Sequence, residues 1–409
     1  MPSVLPAWRG AEMLAIGPGR PHHVPVRLRA GAAVIGAAGV IGLTACSNAP
    51  APTADTRVNP PAKSTTPVRP SSASAHPATP GASPAAASGA TGGPVTIAAV
   101  GDMMLGNSPD LPPSPATYLD PVKPVLDTGA QVVFGNLEGT LTTAPGSKCS
   151  PGSAGTTCFA FRDPPEYLRY FKDAGFTILN DANNHSMDFG PAGQAETVRT
   201  IHAAGLAQTG LPGEITLVTA NGVRVAFVAF APYAYTPSLL DLPAARALIQ
   251  KAATEAPVVV VYMHAGAEGS DADHVTGSEE TYVGEDRGNP EAFAHQAIDS
   301  GASLVIASGP HVLRGMQFYR GHLITYSLGN FAGYGNFGSD GNLSLSAVLN
   351  VTLSGRGQFE RARLYPVQLS GQGQPIPGGD ATAFVAQLSQ ADFGSSAARI
   401  SSSGVIQAP

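Results

Sequence analysis

The feature that most constrains this chain is an alternation that begins at Val95. Short β-rich apolar runs at 95–100, 131–134, 176–179, 223–230, 258–263 and 303–307 are separated by stretches of helical character at 164–174, 191–204, 243–255 and 290–300. Each helical stretch opens on a proline, whose missing N–H and fixed φ suit the first helical turn. Strands alternating with helices predict an α/β architecture. The last third changes character. Runs at 316–319 and 323–326 bracket Arg320-Gly321, a hairpin signal. Leu343, Leu345, Ala347, Leu349, Val351 and Leu353 alternate with mostly polar residues, which predicts an antiparallel strand with one buried face. Ser354-Gly355-Arg356-Gly357 then turns the chain into a further strand near 359–369. The folded domain is expected to span 95–385, followed by a small, polar, flexible tail at 386–409.

What precedes Val95 is different in kind. Residues 46–94 are almost all Ala, Pro, Ser, Thr and Gly, with only Asp55, Arg57, Lys63 and Arg69 charged. Such a segment cannot bury enough apolar surface to offset its ordering entropy, so it reads as a disordered tether. About fifty such residues reach ~40 Å as a coil and up to ~150 Å as polyproline II. In residues 1–45, Arg20, Arg27 and Arg29 precede an uncharged run at 30–43, shorter than the ~20 residues that span a bilayer. That run ends in Leu43-Thr44-Ala45-Cys46, which resembles the lipobox of bacterial lipoproteins. The resemblance implies an export signal at 1–45, lipidation of Cys46, and an extracytoplasmic protein anchored by lipid to the bacterial cell membrane. A plain signal peptide or a single anchor helix with an incidental cysteine is the alternative, and the distance of the basic region from Met1 points to a start at Met13 or later.

Charge narrows the partners. Charged residues make up only 13% of the chain, which disfavours a coiled coil or a highly charged disordered chain. The formal net charge is −6, from 23 basic and 29 acidic residues. Without residues 1–45, which hold Arg9, Arg20, Arg27, Arg29 and Glu12, 19 basic and 28 acidic residues remain, net −9. Tight binding of nucleic acid or of an anionic polymer by bulk charge is disfavoured on that balance, so any such recognition must be local. Besides Cys46 there are two cysteines, Cys149 and Cys158. In an exported chain they are expected to pair, closing a Gly/Ser/Pro loop worth about 2.7 kcal/mol by loop entropy for a ring of ~10 residues. Two free thiols or a partial metal site are the other readings.

The apolar runs end in polar clusters. Val100 leads into Gly101-Asp102, Phe134 into Gly135-Asn136-Leu137-Glu138, and Leu179 into Asn180-Asp181-Ala182-Asn183-Asn184-His185. Met263 leads into His264-Ala265-Gly266-Ala267-Glu268, and Ala307 into Ser308-Gly309-Pro310-His311. Ligands of open α/β sheets bind beyond the carboxyl ends of the strands. Taken singly, a Gly-Asp or Asn-His is more often a turn or a cap. Together they predict one shared site whose carboxylate, amide and imidazole groups suit Mn, Fe or Zn.

At these residues the chain resembles the CapA-type poly-γ-glutamate synthesis family, which is related to calcineurin-like metallophosphoesterases. The resemblance runs from about residue 96 to 363. It is carried by GDMMLG at 101–106, GNLEGTLT at 135–142, AGFTILNDANNHSMDFG at 174–190, HxGxE at 264–268, GPHVLRG at 309–315 and YSLGNF at 326–331. It implies a four-layer α/β sandwich of mixed sheets flanked by helices, and one or two divalent ions. Position by position, it implies that Asp102, Asn184 and His264 bind metal. Asn136 and Glu138 fall where a bridging carboxylate sits, Glu138 being favoured because it is anionic. His185 and His311 take catalytic roles, with His185 assisting the leaving group, while Glu268, Arg314 and Asn330 are expected to touch substrate. Arg162, Arg287 and Arg314 lie near motif loops and would meet carboxylates bidentately. Two departures stand out: Met104 and Gly309 occupy positions where related phosphoesterases carry ligand histidines, leaving enough donors for one metal but few for two.

Two functions follow as expectations. In the first, the tethered domain takes part in synthesis, export or anchoring of poly-γ-glutamate or a similar anionic polymer, beside membrane-bound synthase subunits. In the second, it is a secreted metal-dependent hydrolase of phosphoesters or γ-glutamyl amides, with His185 protonating the leaving group.

Overall fold

Along the strand Val95–Met103, Val95, Ile97 and Ala99 face one way and Ala98, Val100 and Met103 the other, and both rows are buried. A strand buried on both sides must lie inside a layered fold. In the computed structural model, which describes residues 92–150 and 158–409, it is the central strand of a ten-stranded mixed sheet. On one flank it pairs in parallel with Val132–Leu137, followed by Ile178–Asn180 and Ala207–Thr209. On the other flank Leu345–Leu353 and Phe359–Ser370 continue the sheet antiparallel. The expected export signal, Cys46 and nearly all of the expected tether lie outside the described residues.

A second, six-stranded sheet has Thr216–Ala220, Val223–Phe230, Val258–His264, Leu304–Ser308, His322–Thr325 and Met316–Tyr319 in that spatial order. Its inward row, Val225, Phe227, Val260 and Tyr262 among them, meets Ile97, Phe134 and Leu349 of the first sheet in a shared core. Phe134 stacks on Phe227 with centroids 5.7 Å apart and lies 5.4 Å from the Tyr262 ring. Leu168–Asp173 and Gly190–Ala203 cover the outer face of the large sheet through Leu168, Phe171 and Ile201. Leu242–Glu255 and Pro290–Asp299 cover the small sheet through Ile249, Ala252, Phe293 and Ala297. The result is the helix–sheet–sheet–helix sandwich of the α/β class expected above. Both of these last helices begin as their prolines suggested: Asp241 and Asn289 accept from the backbone N–H of Ala244 and Ala292 at 3.0 and 2.9 Å. Caps of this kind stabilise a helix by about 1 kcal/mol.

Two expectations are corrected. The Leu345–Leu353 strand is buried on both faces, because Ser346 and Val348 lie under the outer layer rather than in solvent. Residues 386–409 are not a frayed tail. They contain most of the helix Ala381–Phe393 and two short strands, Arg399–Ile400 and Val405–Gln407. Ile406 pairs with Ala362 and is 2% exposed, so one apolar residue in a small, polar stretch anchors the sheet edge.

The hairpin at Arg320-Gly321 forms as predicted, with both residues at positive φ (51° and 83°), as a tight two-residue turn demands. One glycine fixes the site. The Val95–Met103 strand breaks register between Ala99 and Asp102, and a Cβ on Gly101 would lie 1.9 Å from the Gly329 carbonyl oxygen. Only glycine lets the YSLGNF segment approach so closely. Asp102 is thereby set level with Asn136 on one side and Asn330 on the other.

Candidate functional site

The strand ends do converge. Asp102, Glu138 and His311 present ligand atoms all within 4.8 Å of one another. His264 stands beside them, with Nε2 3.7 Å from Glu138 and Nδ1 4.0 Å from Asp102. Asp102, Glu138 and His264 are fully buried, while His311 keeps 18% of its side chain exposed toward a cleft of about 680 Å³.

Amide orientations here are set by the backbone, which settles what surrounds Asp102. Asn183 Oδ1 accepts from the His185 N–H at 2.9 Å, so its NH2 group donates, to Leu137 O at 2.8 Å and to Asn136 Oδ1 at 3.0 Å. Asn180, fixed the same way by the Ala182 N–H, donates to the same Asn136 oxygen at 2.6 Å. The carbonyl of Asn136 is therefore occupied twice over, and its NH2 group donates to Asp102 Oδ1 at 2.7 Å. Asn136 thus holds Asp102 in place, and of the two residues expected at the bridging position only Glu138 has free oxygens. Asp102 also accepts from Ser308 Oγ and from the Gly309 N–H at 3.1 Å. Burial alone would raise its pKa. The hydrogen bond from His311 and the charges of His264 and His311 outweigh that and bring it to about 2.

Other polar atoms here are unsatisfied. Both carboxylate oxygens of Glu138 and Nε2 of His264 are buried without a hydrogen-bond partner, as is Oδ1 of Asn184, a residue that lines the cleft. Buried polar atoms are almost always paired, and each exception calls for a reason. Burial, then the neighbouring Asp102 charge, pushes the Glu138 carboxyl well above the usual range. Burial drives His264 well below the usual imidazole range. Burial opposes protonation of His311 too, but Glu138, Asp102 and Glu268 override it and raise its pKa to about 10. Two carboxylates and two imidazoles gathered at one point form a donor set that fits a divalent ion. Among the described residues the cysteines offer no thiolate, since Cys149 and Cys158 form a disulfide with Cα atoms 5.5 Å apart.

The other singled-out residues divide between the cleft and elsewhere. His185 lines the cleft, its Nδ1 2.9 Å from Asp188 Oδ2 and its ring 4.4 Å from that of Phe161. Burial lowers its pKa even against Asp188. Asn330 accepts from His311 Nδ1 at 2.8 Å and so aims that ring, whose backbone has φ 61°. Glu268 reaches the cleft but is paired with Arg287 at 2.9 Å. Arg287 is 1% exposed and also donates to Tyr233 at 2.8 Å. Arg314, expected to touch substrate, has a different task. It makes a buried bidentate pair with Glu280 at 3.0 and 2.7 Å, which consumes the fork that substrate would need. Arg162 donates to Ala144 O at 3.1 Å and lies over the Phe189 ring, beside a neighbouring groove.

Several residues of the site escaped the sequence reading. Asp188 follows His185 by three residues within one turn and pairs with its Nδ1. Lys148 binds Asp188 at 2.7 Å and the Asn184 carbonyl at 3.2 Å, which ties the disulfide loop to the cleft. Tyr262 sits two residues before His264 on the same strand face, and Ser308 lies opposite His264 in the neighbouring strand.

Known proteins resemble this chain in sequence. Over 183 residues the chain is 31% identical to the PGA biosynthesis protein CapA of Bacillus subtilis (strain 168), covering 41% of this chain and 45% of that one. Over 188 residues it is 31% identical to the capsule biosynthesis protein CapA of Bacillus anthracis, covering 41% and 42%. The chain thus spans less than half the length of these curated relatives. Among solved structures, a 5'-nucleotidase precursor from Thermus thermophilus aligns with a TM-score of 0.34 and 13% identity, over 73% of this chain and 59% of that one. A family model described as bacterial capsule synthesis protein PGA_cap matches residues 96–334, more than half of the chain and every donor named above, and the chain belongs to that family.

Proposed function

We propose that this chain is a membrane-tethered, extracytoplasmic protein of poly-γ-glutamate capsule synthesis, export or anchoring, whose cleft works through a bound divalent ion. The observation that carries the reading is a set of buried, unpartnered atoms, Glu138 Oε1 and Oε2 and His264 Nε2, gathered beside Asp102 and His311, with Asn184, whose Oδ1 is also unpartnered, lining the same cleft as His311. Unpaired buried polar groups cost about 1–3 kcal/mol each, which favours an occupant where several gather. Asp102, Glu138, Asn184 and His264 would hold the ion, with His311 at the cleft side. Such an ion supplies a Lewis acid that polarises a carbonyl or phosphoryl oxygen. The chain's own residues do the remainder. Asn136, Ser308 and Gly309 keep Asp102 fixed, Asn330 aims His311, and Phe161 with Tyr235 walls the cleft.

The His185–Asp188 pair favours a second reading, metal-dependent hydrolysis of a phosphoester or a γ-glutamyl amide. Asp188 holds Nδ1 of His185, leaving Nε2 for proton transfer to a leaving group.

The test is a strain of the producing bacterium that lacks the protein, complemented with wild type, Asp102→Ala or His264→Ala. Loss of cell-associated polyglutamate in both variants is expected; unchanged polymer in the clean deletion refutes the proposal. Elemental analysis of the purified full chain after Mn²⁺ or Zn²⁺ loading is expected to find bound metal in wild type and little in Asp102→Ala. Incubation with phosphodiesters and γ-glutamyl oligomers tests the hydrolase, which falls if no product forms with either metal.

A further inference from the structure

His264 is useful to a metal only if the nitrogen facing the cluster carries a lone pair. The hydrogen-bond chain behind it decides which nitrogen that is. Three contacts are linked: His264 Nδ1 to Tyr262 Oη at 3.2 Å, Tyr262 Oη to Ser308 Oγ at 2.6 Å, and Ser308 Oγ to Asp102 Oδ1. All four residues are at most 1% exposed, so water does not interrupt the chain.

Proton counting gives the chain a direction, starting from Asp102. Its Oδ1 accepts from the Asn136 NH2 group, whose orientation is fixed above, and its Oδ2 accepts from the Gly309 N–H. The Ser308 hydroxyl donates to the same Oδ1, so its single proton is spent on Asp102. Ser308 Oγ can then only accept from Tyr262, and Tyr262 spends its proton there. Tyr262 Oη is left only as an acceptor, and the group facing it must donate. We infer that Tyr262 and Ser308 are positioning residues that hold the His264 proton on Nδ1, so that Nε2 presents its lone pair to the Asp102–Glu138 cluster. In this arrangement Asp102 does two tasks: it is itself a donor to the ion, and it orients the imidazole from behind by way of two hydroxyls. Partners that fix a ligand histidine's tautomer in this way commonly govern affinity by 10–100-fold.

The consequence for affinity rests on the metal-holding reading; the tautomer itself is a property of the metal-free protein. Full-length protein carrying ¹⁵N-histidine and stripped of metal is examined by two-bond ¹H–¹⁵N correlation, the His264 signals being assigned by their loss in His264→Gln. Wild type is expected to show a protonated, pyrrole-type Nδ1 and a pyridine-type Nε2. Ser308→Ala frees the Tyr262 proton to be given to Nδ1, so the tautomer is expected to invert, with Zn²⁺ affinity by calorimetry falling ~10–100-fold. Tyr262→Phe removes the acceptor and is expected to leave both tautomers populated. A merely structural role would lower the melting temperature of both variants without moving the tautomer. Wild type with its proton on Nε2, a doubly protonated ring, or an unmoved tautomer in Ser308→Ala overturns the inference. Should the tautomer behave as described while wild type binds no Zn²⁺, the metal reading falls and the proton relay stands.

Discussion

Replacing Glu138 by glutamine separates the needs of the site from those of the fold. The Glu138 side chain is fully buried, its two oxygens lack partners, and burial followed by the Asp102 charge raises its pKa well above the ordinary 4.5. In the unfolded chain this acid ionises near that ordinary value. In the folded, metal-free chain it must keep its proton or bury a charge, so its cost grows as pH rises above about 4.5. Glutamine has nearly the same shape and never ionises. The metal-free Glu138→Gln protein is therefore expected to be at least as stable as wild type at pH 5 and more stable at pH 8, by up to ~1–3 kcal/mol. With metal the order reverses. At a Zn²⁺ or Mn²⁺ concentration 100 times Kd, an ion held only by the folded state adds about 2.7 kcal/mol. For a domain of this size that raises the wild-type melting temperature by ~5 °C, and the variant's hardly at all. Thermal melts at both pH values, with chelator and with metal, measure all four states. A metal-free variant that melts below wild type would show that Glu138 is a structural anchor. A variant that keeps the full metal shift would show that the ion sits elsewhere.

Three further outcomes test the fold around the site. Gly101→Ala places a Cβ 1.9 Å from the Gly329 oxygen and is expected to cost ~3 kcal/mol or more in urea unfolding; a neutral effect would refute the close approach. Asp163, whose Oδ2 accepts from the Leu105 N–H at 2.8 Å, has its pKa raised by burial to about 8 from 3.8. The folded chain keeps that proton where the unfolded chain has lost it, so stability falls as pH rises from about 4 to about 8, and Asp163→Asn should flatten that slope in denaturation at pH 5 and pH 8.5. Arg314→Met strands the buried Glu280 carboxylate and is expected to cost ~3–5 kcal/mol, with Zn²⁺ affinity of the folded protein within about twofold of wild type.

The parts of this fold that lay open in the sequence are those governed by local chemistry. Val223–Phe230 and Met316–Tyr319 were readable because apolar runs end at turn residues, and the helices at Leu242 and Pro290 because proline and a capping residue open them. The convergence of Asp102, Glu138, His264 and His311 was readable because each follows an apolar run, and strand ends in such sheets gather at one edge. What stayed hidden depends on long-range register. Ser308 reaches Asp102 across 206 residues, and Arg314 is claimed by a glutamate 34 residues away in a separate two-stranded sheet. No local pattern announces either. Residues Arg399–Ile400 and Val405–Gln407 were missed for a third reason: strands of two and three residues are too short to show a period.

The two sheets contribute differently to the cluster. Asp102 and Asn136 come from the large sheet, with Glu138 directly following its strand, whereas His264 and Ser308 come from the small sheet, with Gly309 and His311 following. The bonds of Asp102 to Ser308 and Gly309 are thus sutures across the seam between the layers, at a point where the apolar core has given out. An ion gripped from both sides would add a further stitch. Neither layer could then open on its own, and the amides at the ends of Val95–Met103 and Leu304–Ser308, which belong to different sheets, would exchange with solvent in a single event.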